Sequence, residues 1–243
     1  MKLSIIVPVY NEVDTIAEIL RRVRAVDLKV SVGYGSEAGL VVEIEREIVV
    51  VDDGSTDGTR ELLRQLQEPA ETEILWHDEN QGKGAAVLTG LQHATGDIML
   101  IQDADLEYDP RDYRSLLQPI LENRSQVVYG SRFRGGPTRA MFFWHMVGNR
   151  LLTLVTNVLY DSILSDMETC YKVFTREVAE QLDLRASGWG FDPEITAQVL
   201  KLGYRIYEVP ITYTGREFEE GKKIGWRDGL TVLWTLLKYR FTP

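Results

Sequence analysis

The chain of 243 residues is predicted to fold as an α/β protein, with a mostly parallel sheet flanked by helices. Over the first 125 residues, short apolar runs alternate four times with segments of helical periodicity. The runs are continuously apolar, as strands covered on both faces are. Two of them end in paired carboxylates. The hydrophobic content of 44% is ample for the core of one large domain.

Composition narrows the class of protein. Thirty-seven acidic against 27 basic residues give a net charge of −10, which argues against a nucleic-acid-binding surface. The single cysteine, Cys170, excludes an internal disulfide and fits a core position in a reducing compartment. The sequence shows no signal-peptide pattern and no run of the ~18 apolar residues that a membrane span needs. We therefore expect a cytoplasmic protein that could contact the cytoplasmic face of a membrane only peripherally, since the sequence stops at Pro243.

The first predicted strand, residues 3–9, is followed by a helix with one apolar face, formed by Ile16, Ile19, Leu20 and Val23. Residues 28–46 place three glycines between Val-rich pieces and are predicted to form a hairpin-like excursion before the second strand.

The second strand, residues 48–51, ends in Asp52-Asp53-Gly54 and leads into a helix over 59–67. A carboxylate at a strand end can accept hydrogen bonds from the base or ribose of a nucleotide. We interpret Asp52 and Asp53 in this way. The following Ser55, Thr56 and Asp57 fit helix capping better.

The third strand, residues 73–76, runs into a glycine loop around Lys83 and a helix over 85–93. Such a loop can approach a diphosphate or close tightly against the sheet, and both interpretations are open. His77 and His93 lack the partners of a metal site or a nucleophile triad, so no chemistry is assigned to them.

The fourth strand, residues 98–101, continues into Gln102-Asp103-Ala104-Asp105. Residues i and i+2 of extended chain point the same way, so both carboxylates can converge beyond the carboxyl end of the strand, where open α/β sheets bind ligands. Converging carboxylates repel unless a cation lies between them, and Mg²⁺ or Mn²⁺ suits such oxygen ligands. Asp103 and Asp105 could instead be turn and cap residues. The second acidic strand end favours the metal site.

The second half begins with a strand over 126–129 and a basic loop containing Arg132. Apolar residues at helical spacing over 142–164 favour a core helix, with an interfacial helix as the alternative. A loop with Pro193 near a helix start, a strand over 204–209 and a helix over 226–241 follow. The last helix carries an apolar stripe that suits core packing or membrane contact, formed by Leu230, Leu233, Trp234, Leu237 and Phe241.

The acidic stretches 52–57 and 102–105 resemble those of glycosyltransferase family 2, which has a GT-A fold, a Rossmann-like sheet flanked by helices. Residues 80–84, 130–132 and 221–225 resemble the branch that contains dolichyl-phosphate mannose synthases and bacterial polyprenyl-phosphate glycosyltransferases. The resemblance implies a single GT-A domain over residues 1–243. Its nucleotide-sugar-binding half would be 1–125 and its acceptor-binding half 126–243, with C-terminal amphipathic helices.

The resemblance also implies site residues. The nucleotide sugar would be bound by Pro8, Tyr10, Glu12, Asp52, Asp53, Lys83, Asp103, Ala104, Asp105, Arg132, Arg216 and Lys222. Asp103 and Asp105 would hold the metal, with Glu107 as a further ligand where relatives commonly carry Gln. On the acceptor side, the residues implied are Asp192 and Glu194, and Asp166, Glu168 and Lys172 could contact substrate or form structural salt bridges.

The predicted reaction is inverting transfer of mannose or glucose from GDP-mannose or UDP-glucose to a polyprenyl phosphate, with Mg²⁺ or Mn²⁺ as cofactor. An acceptor phosphate is already ionised and needs no general base. A sugar hydroxyl of a cell-wall or soluble glycan, the alternative acceptor, would need one, and Asp192 and Glu194 are the candidates. A nucleotide-sugar-binding module without activity is the alternative outside enzymes, and the presence of Asp103, Asp105 and Arg132 argues against it.

Overall fold

The computed structural model describes residues 1–33, 39–66, 71–139, 142–185, 188, 190–216 and 226–242, with residues 226–228 described by their backbone alone. In this part of the chain the strands are β1 (Lys2–Val9), β2 (Lys29–Ser31), β3 (Val41–Glu43), β4 (Glu45–Asp53), β5 (Thr72–His77), β6 (Ile98–Ile101), β7 (Val127–Ser131), β8 (Thr138–Arg139), β9 (Lys172–Thr175), β10 (Ile206–Pro210) and β11 (Tyr213–Thr214). The helices are α1 (Ile16–Ala25), α2 (Thr59–Gln65), α3 (Lys83–His93), α4 (Tyr113–Leu121), α5 (Phe143–Tyr160), α6 (Arg176–Ala179), α7 (Phe191–Lys201) and α8 (Trp226–Phe241), and a 3₁₀ turn spans Pro110–Asp112.

The main sheet has seven strands among the described residues, in the order β10-β7-β9-β6-β1-β4-β5. Every neighbouring pair is parallel except those that involve β9, which is antiparallel to both β6 and β7. The central strands β1 and β6 are buried almost throughout, because helices cover both faces of a parallel sheet. The α/β class with a mostly parallel sheet is confirmed.

The predicted elements begin and end close to the observed ones. The apolar face of α1 is buried as expected, and the excursion before the second strand contains an antiparallel hairpin of β2 and β3. Strand β4 begins earlier than predicted because Glu45 already pairs with Lys2 of β1. The predicted end of the second helix, Gln67, lies outside the described residues. Strand β9 was not predicted, since four residues with two apolar side chains at its centre are too few for a periodic signal.

The core-helix interpretation of residues 142–164 is wrong for most of that segment. Helix α5 packs against α7 and α8, and only its Thr153 and Thr156 are buried. Several of its apolar side chains instead form an exposed stripe, in which Trp144 is 77%, Leu154 57% and Val158 75% exposed. Leu152, Val155 and Leu159, on another side of the helix, are partly buried against a second apolar cluster.

Helix α8 shows the same arrangement. Its buried side is formed by Val232, Thr235 and Leu236, whereas Trp234 and Phe241 of the predicted stripe are exposed. Across the described residues, we find no helix with both the length and the apolar character that crossing a membrane would require.

Candidate functional site

A cavity of about 1140 Å³ opens at the carboxyl ends of β1, β4 and β6 and extends between α5 and α8. Loop residues after the strands line its polar end, and residues of the two helices line its apolar end. The polar end gathers most of the predicted site residues, namely Pro8, Tyr10, Glu12, Asp53, Lys83, Asp103, Ala104, Asp105, Glu107, Arg132 and Arg216.

Asp53 fixes the glycine loop that borders the cavity. Its carboxylate accepts hydrogen bonds from the backbone N–H groups of Gln81 and Gly82 at 2.9 and 2.8 Å. The same carboxylate lies 2.7 Å from His77 Nδ1. The other ring nitrogen of His77 lies 2.9 Å from Thr89 Oγ1, so both ring nitrogens have partners within the protein. Asp53 is nearly fully buried and holds the start of α3 at the cavity wall.

Asp52 does not belong to the cavity wall. Its side chain is fully buried on the other side of β4, where its Oδ2 accepts a hydrogen bond from Arg60 Nε at 2.8 Å. Successive side chains of a strand point to opposite faces, so neighbouring carboxylates at positions 52 and 53 cannot both face one ligand. The prediction that Asp52 contacts the nucleotide is therefore not supported by the geometry.

The two carboxylates after β6 converge on the cavity as the i, i+2 spacing predicts. Each is bound to a cation of the protein: Lys83 Nζ lies 2.7 Å from Asp103 Oδ1, and Arg216 Nη2 lies 2.7 Å from Asp105 Oδ2. Burial and the neighbouring Asp103 carboxylate raise the pKa of Asp105 to about 7. Burial acts in the same direction on Asp103, but the charges of Lys83 and Lys172 and the hydrogen bonds from Lys83 and Cys170 together hold the pKa of Asp103 below its usual value.

Glu107 positions Arg216 and does not join the two aspartates. Its Oε1 accepts a hydrogen bond from the backbone N–H of Arg216 at 2.8 Å, and its Oε2 accepts one from the Tyr213 hydroxyl at 2.9 Å. Among the described residues, no group of three or more His, Cys, Asp or Glu side chains could hold a metal. Glu107 therefore does not complete a three-ligand site. Lys222, which the resemblance also assigns to nucleotide-sugar binding, lies outside the described residues.

Asp103 and Asp105 remain the side chains that fit a divalent cation. Seven carboxylates but only three Lys or Arg side chains line the cavity among the described residues. A cavity with this excess of negative charge would repel a diphosphate unless a cation entered with it. Mg²⁺ commonly takes one or two carboxylates from the protein and completes its shell with phosphate oxygens and water. The donor set is consistent with such a site.

Arg132 also lines the cavity, and its side chain is held by Asp166. Its Nε and Nη2 each lie 2.7 Å from an oxygen of Asp166, in a two-pronged ion pair. Glu208 on β10 fixes the Asp166 loop by accepting hydrogen bonds from the backbone N–H groups of Ser165 and Asp166. The predicted alternative of a structural salt bridge thus holds for Asp166.

The two acceptor-side carboxylates of α7 have different surroundings. Asp192 lines the cavity and its Oδ1 lies 2.5 Å from Lys172 Nζ. Glu194 is fully buried elsewhere, where its Oε1 accepts hydrogen bonds from the Arg185 N–H and the Tyr239 hydroxyl. Residues i and i+2 of a helix do not share a face. Glu194 is therefore not placed to act as a base in the cavity.

The apolar end was missed by sequence reasoning. His145 and Asn149 of α5 line it together with Leu152, and Leu230 and Leu233 of α8 face them. His145, Asn149 and Leu152 follow the i, i+4, i+7 spacing of one helical face. His145 and Asn149, two polar residues at i, i+4 spacing in the apolar first half of α5, were the signal that could have identified the cavity wall.

The chain is similar to known glycosyltransferases in sequence. Residues 4–183 match the model of glycosyl transferase family 2. Similar curated proteins include glycosyltransferase AglJ of Haloferax volcanii, which is 30% identical over 87% of this chain and 63% of its own. The dolichol-phosphate mannosyltransferase of Pyrococcus furiosus is 28% identical over 93% of this chain and 60% of its own. The chain thus spans less than two thirds of the length of these relatives.

Solved structures show the same fold. Glucosyl-3-phosphoglycerate synthase of Mycobacterium tuberculosis, in complex with UDP, superposes with a TM-score of 0.70 at 20% identity, covering 100% of this chain and 81% of that one. Mannosyltransferase PcManGT of Pyrobaculum calidifontis, in complex with GDP-Man and Mn²⁺, gives a TM-score of 0.62 at 24% identity. The match covers 98% of this chain and 62% of that one. The fold is GT-A, and the chain belongs to glycosyl transferase family 2.

Proposed function

We propose that the protein is an inverting hexosyltransferase that moves mannose or glucose from a nucleotide-diphosphate sugar to a polyprenyl phosphate with the help of a divalent cation. The observation that carries the proposal is the continuity of one cavity, from the acidic strand ends to an apolar cleft between α5 and α8. A substrate pair that is anionic at one end and a long hydrocarbon at the other fits such a cavity.

The donor would occupy the polar end. Pro8, Tyr10, Glu12 and Asp53 border the space where the base and ribose would lie, at the carboxyl ends of β1 and β4. The family 2 resemblance and the nucleotide complexes of the structurally similar proteins, with UDP and with GDP-Man, support this assignment. In this proposal residues 1–125 bind the nucleotide sugar, and residues 126–243 bind the acceptor.

Asp103 and Asp105 would hold Mg²⁺ or Mn²⁺, which when bound neutralises the charge of the departing diphosphate. The similar mannosyltransferase was solved with Mn²⁺. Lys83 and Arg216, which pair with these carboxylates in the structure, have long side chains that can turn toward diphosphate oxygens.

The acceptor phosphate would lie near Arg132, with its hydrocarbon chain in the cleft lined by Leu152, Leu230 and Leu233. An ionised phosphate oxygen can attack the sugar without a general base. The two residues expected to serve as a base for a hydroxyl acceptor are otherwise engaged, Asp192 with Lys172 and Glu194 with Arg185 and Tyr239. The similarity to a dolichol-phosphate mannosyltransferase also favours a lipid phosphate.

Contact with a membrane surface would bring the cleft to its lipid. The exposed stripe of α5 lies beside the apolar end of the cavity and includes Trp144, a residue type that favours membrane interfaces. Peripheral docking through α5 and α8 is therefore part of the proposal.

The test is transfer of radiolabel from UDP-glucose and GDP-mannose, with Mg²⁺ or Mn²⁺, into an organic-extractable polyprenyl phosphate. Asp105→Asn should abolish metal-dependent transfer, because it removes the charge of one of the two carboxylates while the side chain keeps its shape. Asp78→Asn, at an exposed aspartate away from the cavity wall, is the matched control and should transfer like the wild type. Label that enters only water-soluble glycans would overturn the lipid acceptor and favour a hydroxyl. Nucleotide binding without any hydrolysis or transfer would favour an inactive binding module.

A further inference from the structure

Glu168 is a carboxylate of the cavity wall that the proposed reaction has not yet used, and its surroundings differ from those of Asp192 and Glu107, which are paired within the protein. It follows α5 in the loop before β9 and lines the cavity together with Arg132 and Asp192. Its Oε1 is shielded from solvent and has no hydrogen-bond partner in the described part of the chain. A buried polar atom without a partner destabilises the fold, so a ligand that satisfies it is the natural explanation.

The charged groups around Glu168 are already matched with each other. Lys172 Nζ donates to Asp192 Oδ1 and to the backbone carbonyls of Met167 and Thr169, which uses its three hydrogens. Arg132 donates two hydrogen bonds to Asp166.

Two cations therefore balance two carboxylates, and a negative charge on Glu168 would have no counter-ion among these groups. Burial and the Asp192 carboxylate together raise the pKa of Glu168 to about 8, although Lys172 and Arg132 oppose the shift.

We propose that Glu168 acts as a neutral carboxylic acid and donates a hydrogen bond to an anionic oxygen of the acceptor phosphate. This inference rests on the proposed function, because it needs an anion in this part of the cavity. A protonated carboxyl at this place supplies a donor without adding a charge that repels the acceptor. No proton leaves the enzyme in the reaction, since Glu168 binds the phosphate and does not take a proton from it.

The pH dependence follows from the protonation state. Below pH 8 Glu168 is neutral and donates, and above pH 8 it ionises and repels the acceptor. At pH 9 about a tenth of a group with this pKa stays protonated, so kcat/KM for the acceptor should fall about tenfold between pH 7 and pH 9.

The experiment measures kcat and KM for a short-chain polyprenyl phosphate and for the nucleotide sugar, from pH 6 to 9, in four proteins. These are the wild type, Glu168→Gln, Glu168→Ala and the control Glu177→Gln, an exposed glutamate on α6. Glu168→Gln keeps a neutral donor, so it should stay within about threefold of the wild type at pH 7 and should lose the alkaline fall. Glu168→Ala should lower kcat/KM for the acceptor about tenfold, mainly through KM, and leave KM for the nucleotide sugar unchanged.

Three outcomes would overturn the inference. A loss of a hundredfold or more in Glu168→Gln, with normal melting temperature, would mean that Glu168 works ionised as a base. Unchanged acceptor kinetics in Glu168→Ala would mean that it does not touch the acceptor. An alkaline fall shared by the wild type and Glu168→Gln would belong to another group.

The two proposals can fail separately. If the wild type and Glu177→Gln transfer hexose to the lipid phosphate while the Glu168 variants behave like them, only the role of Glu168 is wrong. If the wild type itself transfers no hexose to the lipid phosphate, the proposed function fails and this inference fails with it.

Discussion

At the residue scale, several carboxylates in or beside the cavity form their hydrogen bonds with other residues of the protein. Asp53 holds the glycine loop through two backbone N–H groups, Glu107 holds the backbone of Arg216, and Asp166 holds Arg132. These contacts fix the backbone from which Lys83 and Arg216 extend, and they fix the guanidinium group of Arg132. The polar end of the cavity is therefore preorganised by carboxylates that act on neighbouring residues.

Gly54, directly after Asp53, tests how tightly this loop is built. Its φ of +73° is disfavoured for residues with a side chain, and a Cβ there would lie 2.5 Å from the carbonyl carbon of Glu79. Gly54→Ala should therefore lower the free energy of unfolding by the ~1–2 kcal/mol of a left-handed conformation and by the additional energy of the clash. Chemical denaturation measures the change.

Gly203→Ala is the matched control for Gly54→Ala. Gly203 has a φ of +87°, but a Cβ at this position meets nothing within 4 Å. The Gly203→Ala variant should therefore lose only the free energy of unfolding that the left-handed backbone conformation costs, about 1–2 kcal/mol. Equal destabilisation in the two variants would contradict a backbone clash at Gly54.

At the element scale, α5 and α8 combine two features that a helix of an ordinary core does not have. Leu152, Val155 and Leu159 of α5 pack against a small cluster formed by Val232 and Leu236 of α8 and by Leu164 and Met167 of the loop after α5. Each helix leaves apolar side chains exposed on another face. The cavity extends between them. An apolar cleft that opens beside an exposed apolar stripe suits a ligand that arrives from a lipid phase.

Leu154→Glu tests this arrangement, because Leu154 is 57% exposed on the stripe of α5. Partial burial of a leucine in a membrane surface contributes on the order of 1 kcal/mol, and a glutamate there would oppose insertion. We expect the partition coefficient onto phosphatidylcholine vesicles, measured by co-sedimentation, to fall about tenfold or more.

Leu40→Glu provides the control for the stripe. Leu40 is 51% exposed and lies next to the hairpin strand β3, away from the stripe in the sequence. Its substitution by glutamate should leave vesicle binding unchanged. If the wild type binds no vesicles, or if both variants lose binding equally, docking through α5 is wrong.

At the scale of the whole molecule, negative charge dominates both the chain and its cavity. The net charge is −10, and the cavity wall carries seven carboxylates against three Lys or Arg side chains among the described residues. An anionic substrate can enter such a site only if cations accompany it or if the protein's own cations are released from their carboxylates. Both conditions point to Asp103 and Asp105, where Lys83 and Arg216 lie in the structure.

Nucleotide binding should therefore depend on a divalent cation. Calorimetric titration with UDP and GDP should show affinity at least tenfold higher with Mg²⁺ or Mn²⁺ than with chelator, because the ion neutralises both the diphosphate and the two aspartates. Asp105→Asn should lose most of this gain and Asp78→Asn should keep it. Equal affinity with and without the metal would contradict the metal site.

Much of the fold could be read from local patterns. The apolar runs that become β1, β4 and β6 are buried strands, the face of α1 follows from its four apolar positions, and α8 has the bounds that its periodicity predicts. The spacing of apolar residues and the residue types at strand ends are local properties of the chain, so both can be predicted from a single sequence. The convergence of Asp103 and Asp105 also follows from local geometry, because residues i and i+2 of extended chain share a side.

The amino-acid sequence by itself determined the α/β class, the acidic strand ends and the family to which the chain belongs. Only the tertiary structure decided which carboxylates face the cavity. Local geometry puts Asp52 and Asp53, and likewise Asp192 and Glu194, on different sides, but the tertiary structure selects the member of each pair that faces the cavity. It also brought Glu107 to the backbone of Arg216, and it left Glu168 Oε1 without a hydrogen-bond partner among the described residues. It also exposed the apolar face of α5 that the pattern assigned to the core. The physical reason is that partners such as Arg216 and Glu107 are 109 residues apart in the chain, and such pairings depend on packing rather than on any local period.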